Sequence, residues 1–415
     1  MPLTTSSAKP VCRPLRCRHD MKRTLNFVSI TFADFIVRSA YQMGKTPLLP
    51  IFAAALGTTD AFLGFIVSVS TLTGMVLKPM IGILSDRWGR RWWLIVGTAF
   101  FAGIPFLYRF IHTPEQLFGI RMVHGLATAI YGPVTLAFVA EQAQHRRAEK
   151  LGWFGMARTA GYIVGPAVAG WLLMTMPSVD VFTVIGGLSS LALIPILLLS
   201  EPAARNRNAQ FTVRQQIVHT LKAGMRTPSI WLSGGLESTV FIALYATKAF
   251  LPIYALSLDV SVFLVGTFFS VQEVAHVALR AAGGHIGDRL GYLRTICLGM
   301  VSMAVALSFL PVTQRVFGLM ALAILIGGAQ ALVFPSTVAL VSAQINERYI
   351  GAGMGLIGTL KNAGKVAGPI LGGLLIRWLD FSVMFRCMGM LLLLGAGIVW
   401  YWAQRGGNHV RHPST

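Results

Sequence analysis

The chain has 415 residues, of which 54% are apolar and only 12% are charged. So few charges cannot clothe a soluble surface of this size, whereas a helix that spans a bilayer needs only ~20 mostly apolar residues. The net charge of +20 raises the question of nucleic acid, but the basic residues fall in short gaps between apolar runs rather than on one face. The expected surroundings are therefore a lipid bilayer, with no nucleic-acid partner.

Residues 1–24 form a basic tail without the apolar core of a cleavable signal peptide. "MKRTLNF" at Met21 reads as an alternative start, which would make residues 1–20 dispensable. Twelve apolar spans follow, near 25–56, 61–84, 92–111, 115–140, 150–174, 179–200, 229–256, 260–283, 295–312, 316–342, 350–377 and 380–403. Backbone groups in hydrocarbon must be bonded within their own segment, so these spans are helices. The expected division is a first six-helix unit over 25–200, a cytoplasmic linker over 201–228, a second unit over 229–403 and a tail over 404–415. Within the linker, "FTVRQQIVHTLKAGM" reads as an interfacial surface helix. The gaps after spans 2, 4 and 6 carry Arg87, Arg90, Arg91, Arg146, Arg147, Lys150 and Arg205, whereas "GTTD", "TMPSVD" and "SLDV" carry no basic residue. This asymmetry puts both termini in the cytoplasm. Cys12, Cys17, Cys297 and Cys387 lack metal-ligand spacing, so free thiols and no metal are expected.

The two halves repeat each other. "GILSDRWGRR" at Gly82 returns as "GHIGDRLGYL" at Gly284, an offset of 202, and "GWFGMARTAGYIVGPAVAG" at Gly152 returns as "GLIGTLKNAGKVAGPILGG" at Gly355, an offset of 203. Pro133 aligns with Pro335, Asp34 with Glu237, Lys45 with Lys248, Lys78 with Arg280 and Arg158 with Lys361. Two six-helix units joined by a central loop make a transporter architecture, with the substrate site between the halves near the bilayer midplane.

These motifs resemble the major facilitator superfamily and, within it, the twelve-helix drug:proton antiporters. The resemblance runs from about residue 25 to 403. It rests on Gly82, Leu84, Asp86, Arg87, Gly89, Arg90 and Arg91, with a second copy that keeps Gly284, Asp288, Arg289 and Gly291. It rests also on the antiporter signature at Gly152, Gly161, Gly165, Pro166 and Gly170, where Ala169 replaces one glycine, and on its complete copy at Gly355, Gly364, Gly368, Pro369, Gly372 and Gly373. "PLLP" at Pro47 resembles the proline pair that ends helix 1 in the family, and "RMVHG" resembles Arg-x-x-Gln-Gly, with His124 in place of Gln. The resemblance implies an all-α membrane protein: twelve transmembrane helices in two pseudo-symmetric six-helix bundles around a central cavity. It further implies that the Asp86 loop faces the start of helix 11 near Gly351.

Gly82 permits close helix approach and Gly89 a tight turn, and an aspartate at position 86 can face the positive end of a helix. Together with Arg87, Arg90, Arg91, Glu141, Asp288 and Arg289, these residues read as a gate. The competing reading is a basic loop that only sets topology. The small-residue stretches at Gly161, Gly165, Pro166, Gly364, Gly368 and Pro369 read as close contacts between the halves, against ordinary packing within one half.

"GTLKNAGKVAGPILGG" holds Lys361 and Lys365 in an apolar run, and its Gly-Lys pair lacks P-loop spacing. At 100° per residue both lysines share the glycine face. Lipid cannot face them, because a charge at the centre of a span costs at least ~2.5–3.5 kcal/mol. Asp34, Arg38, Tyr41 and Lys45 form a similar stripe, as do Glu273, His276 and Arg280, and Arg121, His124 and Thr128. Arg38, Tyr41, Gln42, His124, Arg158, Tyr245, Glu273, Lys361 and Lys365 are thus candidates for a substrate cavity, against internal salt bridges that hold helices together. The surplus of basic residues favours anionic or zwitterionic cargo. Asp34, Arg121 and Glu237 are the candidates for proton coupling.

There is no nucleotide motif, and no nucleophile, base and orienting group converge, so no enzyme and no cofactor are expected. The function expected is a monomeric secondary transporter of the cell membrane, working by alternating access and exporting small amphipathic molecules, anionic ones included, against protons. The alternatives are uptake of an organic anion, or a non-transporting sensor or assembly subunit on the same fold.

Overall fold

The computed structural model describes residues 14–142, 146–200, 228–313, 315–344 and 350–405, apart from some side chains, those of Asp86 and Arg87 among them. The described chain folds into twelve helical rods. They are α1 (Pro14–Met43, continued by an irregular turn Gly44–Leu48 and by Leu49–Ala55), α2 (Asp60–Trp88), α3 (Arg90–Leu107), α4 (Pro114–Gln142), α5 (Arg147–Thr175) and α6 (Ser178–Leu191 with Leu193–Leu197). The second half repeats them as α7 (Pro228–Ser257), α8 (Val262–Leu290), α9 (Tyr292–Phe309), α10 (Val316–Gln344), α11 (Ile350–Trp378) and α12 (Phe381–Arg405). The expected linker helix and both chain ends lie outside the described residues.

Two boundaries differ from the sequence reading. α1 begins at Pro14 rather than near 25. Its proline pair does not end it: the backbone leaves helical geometry at Thr46 (φ −148, ψ 122) and then resumes to Ala55. Pro47 lacks an N–H and restricts the residue before it, so it breaks the hydrogen-bond ladder at one point only, and Pro50 sits in the first turn of the resumed helix, where a missing donor costs nothing.

Nine of the described helices are long and apolar enough to cross a bilayer on composition alone; α1, α5 and α11 fall short. Those three carry Asp34, Arg38 and Lys45, Arg158, and Lys361 and Lys365. Local chemistry starts and stops the rods. Thr113 and Gln116 form a capping box at α4: the Thr113 N–H donates to Gln116 Oε1 (3.3 Å), and the Gln116 N–H donates to Thr113 Oγ1 (3.3 Å). Asp380 Oδ1 accepts from the Val383 N–H (2.7 Å) at α12. Gly89 (φ 85, ψ 135) and Gly291 (φ 90, ψ 141) make the repeated one-residue turns α2–α3 and α8–α9, a conformation that disfavours any side chain.

Candidate functional site

The halves meet along two antiparallel crossings, α2 with α11 and α5 with α8. Both contacts lie near the turns at 57–59, 176–177 and 258–261, at the end opposite the basic loops. A Cβ on Gly64 would strike the Pro369 carbonyl, and one on Gly373 the Asp60 carbonyl. Gly170 and Gly266 play the same part against Val262 and Pro166. Two hydroxyls bond across: Ser68 Oγ donates to the Val366 carbonyl (2.7 Å), and Ser270 Oγ donates to the Ile163 carbonyl (2.6 Å) while accepting from the Ala167 N–H (3.1 Å). Toward the basic-loop end, Gly82, Gly152, Gly155, Gly355 and Gly358 face open space.

This corrects the expectation for four of the signature glycines. Gly161 and Gly165 press on Arg38, Ser39, Gln42 and Met43 of α1, and Gly364 and Gly368 press on Ser238, Ile242 and Ala246 of α7. All four pack within one half. Helical spacing shows that they share a face, not which neighbour that face meets. Contact with the other half comes instead from Gly170 and Gly373 and from the backbone of Ile163, Pro166, Ala167, Val366 and Pro369. Gly64, Ser68, Gly266 and Ser270 were missed, although each pair has the small-residue spacing of four and the two pairs align at the offset of 202.

Among the gate candidates, Arg90 pairs with Glu141 (3.1 Å) and Arg91 donates to the Leu197 carbonyl (2.9 Å), both within the first half. Asp288 accepts from the Tyr292 hydroxyl (3.1 Å), within the second. The Asp86 and Arg87 side chains lie outside the described ones.

Asp34 is not a lone acid. Arg158 clamps it with two parallel bonds, Nε to Oδ2 (2.9 Å) and Nη2 to Oδ1 (3.0 Å), the paired geometry that makes guanidinium–carboxylate contacts strong. Arg38 approaches Oδ1 (3.5 Å), and Arg158 also donates to Thr135 Oγ1 (3.1 Å). Asp34 is buried. Arg158, expected in the substrate cavity, is thereby committed to a carboxylate.

The second half repeats the residues but not the bonds. Glu237 is buried and accepts from Thr337 Oγ1 (2.6 Å). Lys361, the counterpart of Arg158, instead lies over the rings of Phe241 (4.8 Å) and Phe334 (5.6 Å). Lys365 lies over Phe241 (4.9 Å) and Tyr245 (5.5 Å), Lys45 over Tyr245 (4.8 Å) and Tyr41 (5.6 Å), and Lys248 over Tyr245 (5.7 Å). A central hollow between α1, α5, α7 and α8 brings Gln42, Lys45, Tyr245, Lys248 and Glu273 together with Tyr162. Tyr41, Arg121 and His124 line a separate hollow inside the first half, with Tyr108 and Ser189. There Arg121 donates to Ser70 Oγ (2.6 Å), and buried His124 lies between the rings of Tyr41 and Phe101 with no hydrogen-bond partner on either nitrogen among the described residues. Thr135 and Thr337 were missed as site residues, although the Pro133–Pro335 alignment already pairs them.

Comparison with known proteins agrees with this fold. Multidrug resistance protein MdtG of Serratia proteamaculans is 23% identical, with 92% of this chain and 94% of that one covered. Multidrug resistance protein 1 of Bacillus subtilis is 24% identical, covering 86% and 91%. Among solved structures, the nucleoside transporter NupG superposes with a TM-score of 0.75 at 14% identity over 91% of this chain and 98% of that one. A bacterial homolog of the human lysosomal transporter Spinster, inward-facing and unoccupied, superposes at 0.74 with 13% identity over 95% and 99%. The profile of the Major Facilitator Superfamily matches residues 30–275 and 236–414, and the chain belongs to that superfamily of membrane transporters.

Proposed function

We propose that this transporter works by alternating access as a monomer in the cell membrane, with both termini cytoplasmic, and exports small amphipathic molecules in exchange for protons. The observation that carries this reading is the uneven closure. The halves interlock through backbone-to-glycine contacts at one end, whereas toward the basic-loop end Gly82, Gly152, Gly155, Gly355 and Gly358 meet no described residue. Two rigid units joined that way can rock about a site between them. With basic loops on the cytoplasmic side, the open end is the inward one. The multidrug resistance names of the relatives support export of amphipathic compounds.

For the proton, Glu237 is the better candidate than Asp34. Asp34 is tied by two bonds from the Arg158 guanidinium, whereas Glu237 is held by a hydroxyl that serves the neutral acid as well. Purified protein in proteoliposomes, with a pH gradient imposed and a panel of cationic and anionic dyes, tests this. Dye flux that follows the gradient and collapses with it is expected. Flux indifferent to pH removes the proton, and no flux of any compound removes the transport reading.

A further inference from the structure

Four ammonium groups converge on one cluster of rings. Lys45, Lys248 and Lys365 share Tyr245, and Lys361 and Lys365 share Phe241. Among the described residues no carboxylate comes within ion-pair distance of any of the four. The repeat shows how this arises. In the first half Arg38 and Tyr162 occupy the positions that Phe241 and Lys365 hold in the second, at the offset of 203. The exchange puts a ring where a second guanidinium stood and a cation where a phenol stood. Asp34 is neutralised by its own arginines. Even if Glu237 and Glu273 are both set against the four lysines, two positive charges remain in excess.

Aromatic faces attract cations through a quadrupole and carry no net charge. They hold the lysines in place without neutralising them, and the excess stays in a partly buried, poorly solvated place. We infer that the substrate of this site is an organic dianion with an aryl or flat apolar body, its charges met by Lys361, Lys365 and the lysine pair Lys45 and Lys248. On binding, the ammonium groups swing from ring face to anion and free Phe241 and Tyr245 to pack against the body. This rests on the transport reading above and names its cargo.

Equilibrium dialysis of the purified full chain against naphthalene disulfonate, naphthalene monosulfonate and ethidium tests it. The disulfonate is expected to bind at least about tenfold more tightly than the monosulfonate, with ethidium weakest. Lys361→Met with Lys365→Met should lose about tenfold or more in disulfonate affinity, while Lys361→Arg with Lys365→Arg keeps most of it. Should the Met variant not fold, the Arg variant and the order of the three probes decide. Ethidium bound most tightly, equal binding of both sulfonates, a Met variant within twofold of the parent, or no binding of any probe overturns the inference. Ethidium flux driven by a pH gradient without disulfonate binding would sink the dianion and leave the exporter standing; disulfonate binding without gradient-driven flux would do the reverse.

Discussion

Asp34 and Glu237 occupy equivalent places in the repeat, yet a single amide substitution should separate them. Asp34→Asn leaves Arg158 and Arg38 facing a neutral group in a buried place, and removing one partner of such a pair costs ~3–5 kcal/mol. We expect a lower melting temperature and a poor yield of monodisperse protein. Glu237→Gln keeps an acceptor for Thr337 and strands no cation. It should melt near the parent protein and bind cargo, but lose gradient-driven accumulation. Parent-like accumulation by Glu237→Gln moves the proton elsewhere. The sequence shows both acids and the aligned basic residues Arg158 and Lys361. What it hides is the bonding: Asp34 and Arg158 are 124 residues apart, and nothing in the spacing says that the guanidinium turns to the acid while Lys361 turns to Phe241.

At the scale of the helix, the apolar runs and the repeat make all twelve rods legible, because bilayer thickness sets a length that irregular structure cannot meet. The helix neighbours are less legible. Position on a face says that Gly161 and Gly165 act together, but not that α1 is what they meet. The crossings predict a sharp contrast between glycines. Gly64→Val and Gly373→Val force side chains into the carbonyls of Pro369 and Asp60, so the closed end should loosen and a cysteine at Thr59 should label faster. Gly358→Val faces open space and should leave that rate unchanged. Gly89→Ala places a side chain in a backbone region suited to glycine, at a cost of ~1–3 kcal/mol, and thermal melting should fall accordingly.

For the whole molecule, the charge asymmetry predicts that cysteines at Arg147 and Leu290 react only with reagents that reach the cytoplasm, and those at Thr59 and Pro177 with reagents outside. External labelling at Leu290 in sealed cells would invert the topology. Architecture was readable at this scale because a duplicated pattern of glycines, prolines and charges survives in both halves. Conformation was not, since the spacing of small residues does not say which end of a crossing is closed.

The bidentate clamp on Asp34 also sets a problem of order during synthesis. α1 leaves the ribosome ahead of α5, and it is not among the helices whose length and composition suffice to cross a bilayer. The arginine that neutralises its acid follows 124 residues later, about 6–25 s at ordinary elongation rates. Over that interval α1 must wait in the insertion machinery or at the water interface, carrying Asp34, Arg38 and Lys45 without α5. In a nascent chain arrested before Arg158, a cysteine at Ala33 should therefore react with a water-soluble maleimide, and in one arrested after α5 it should be protected.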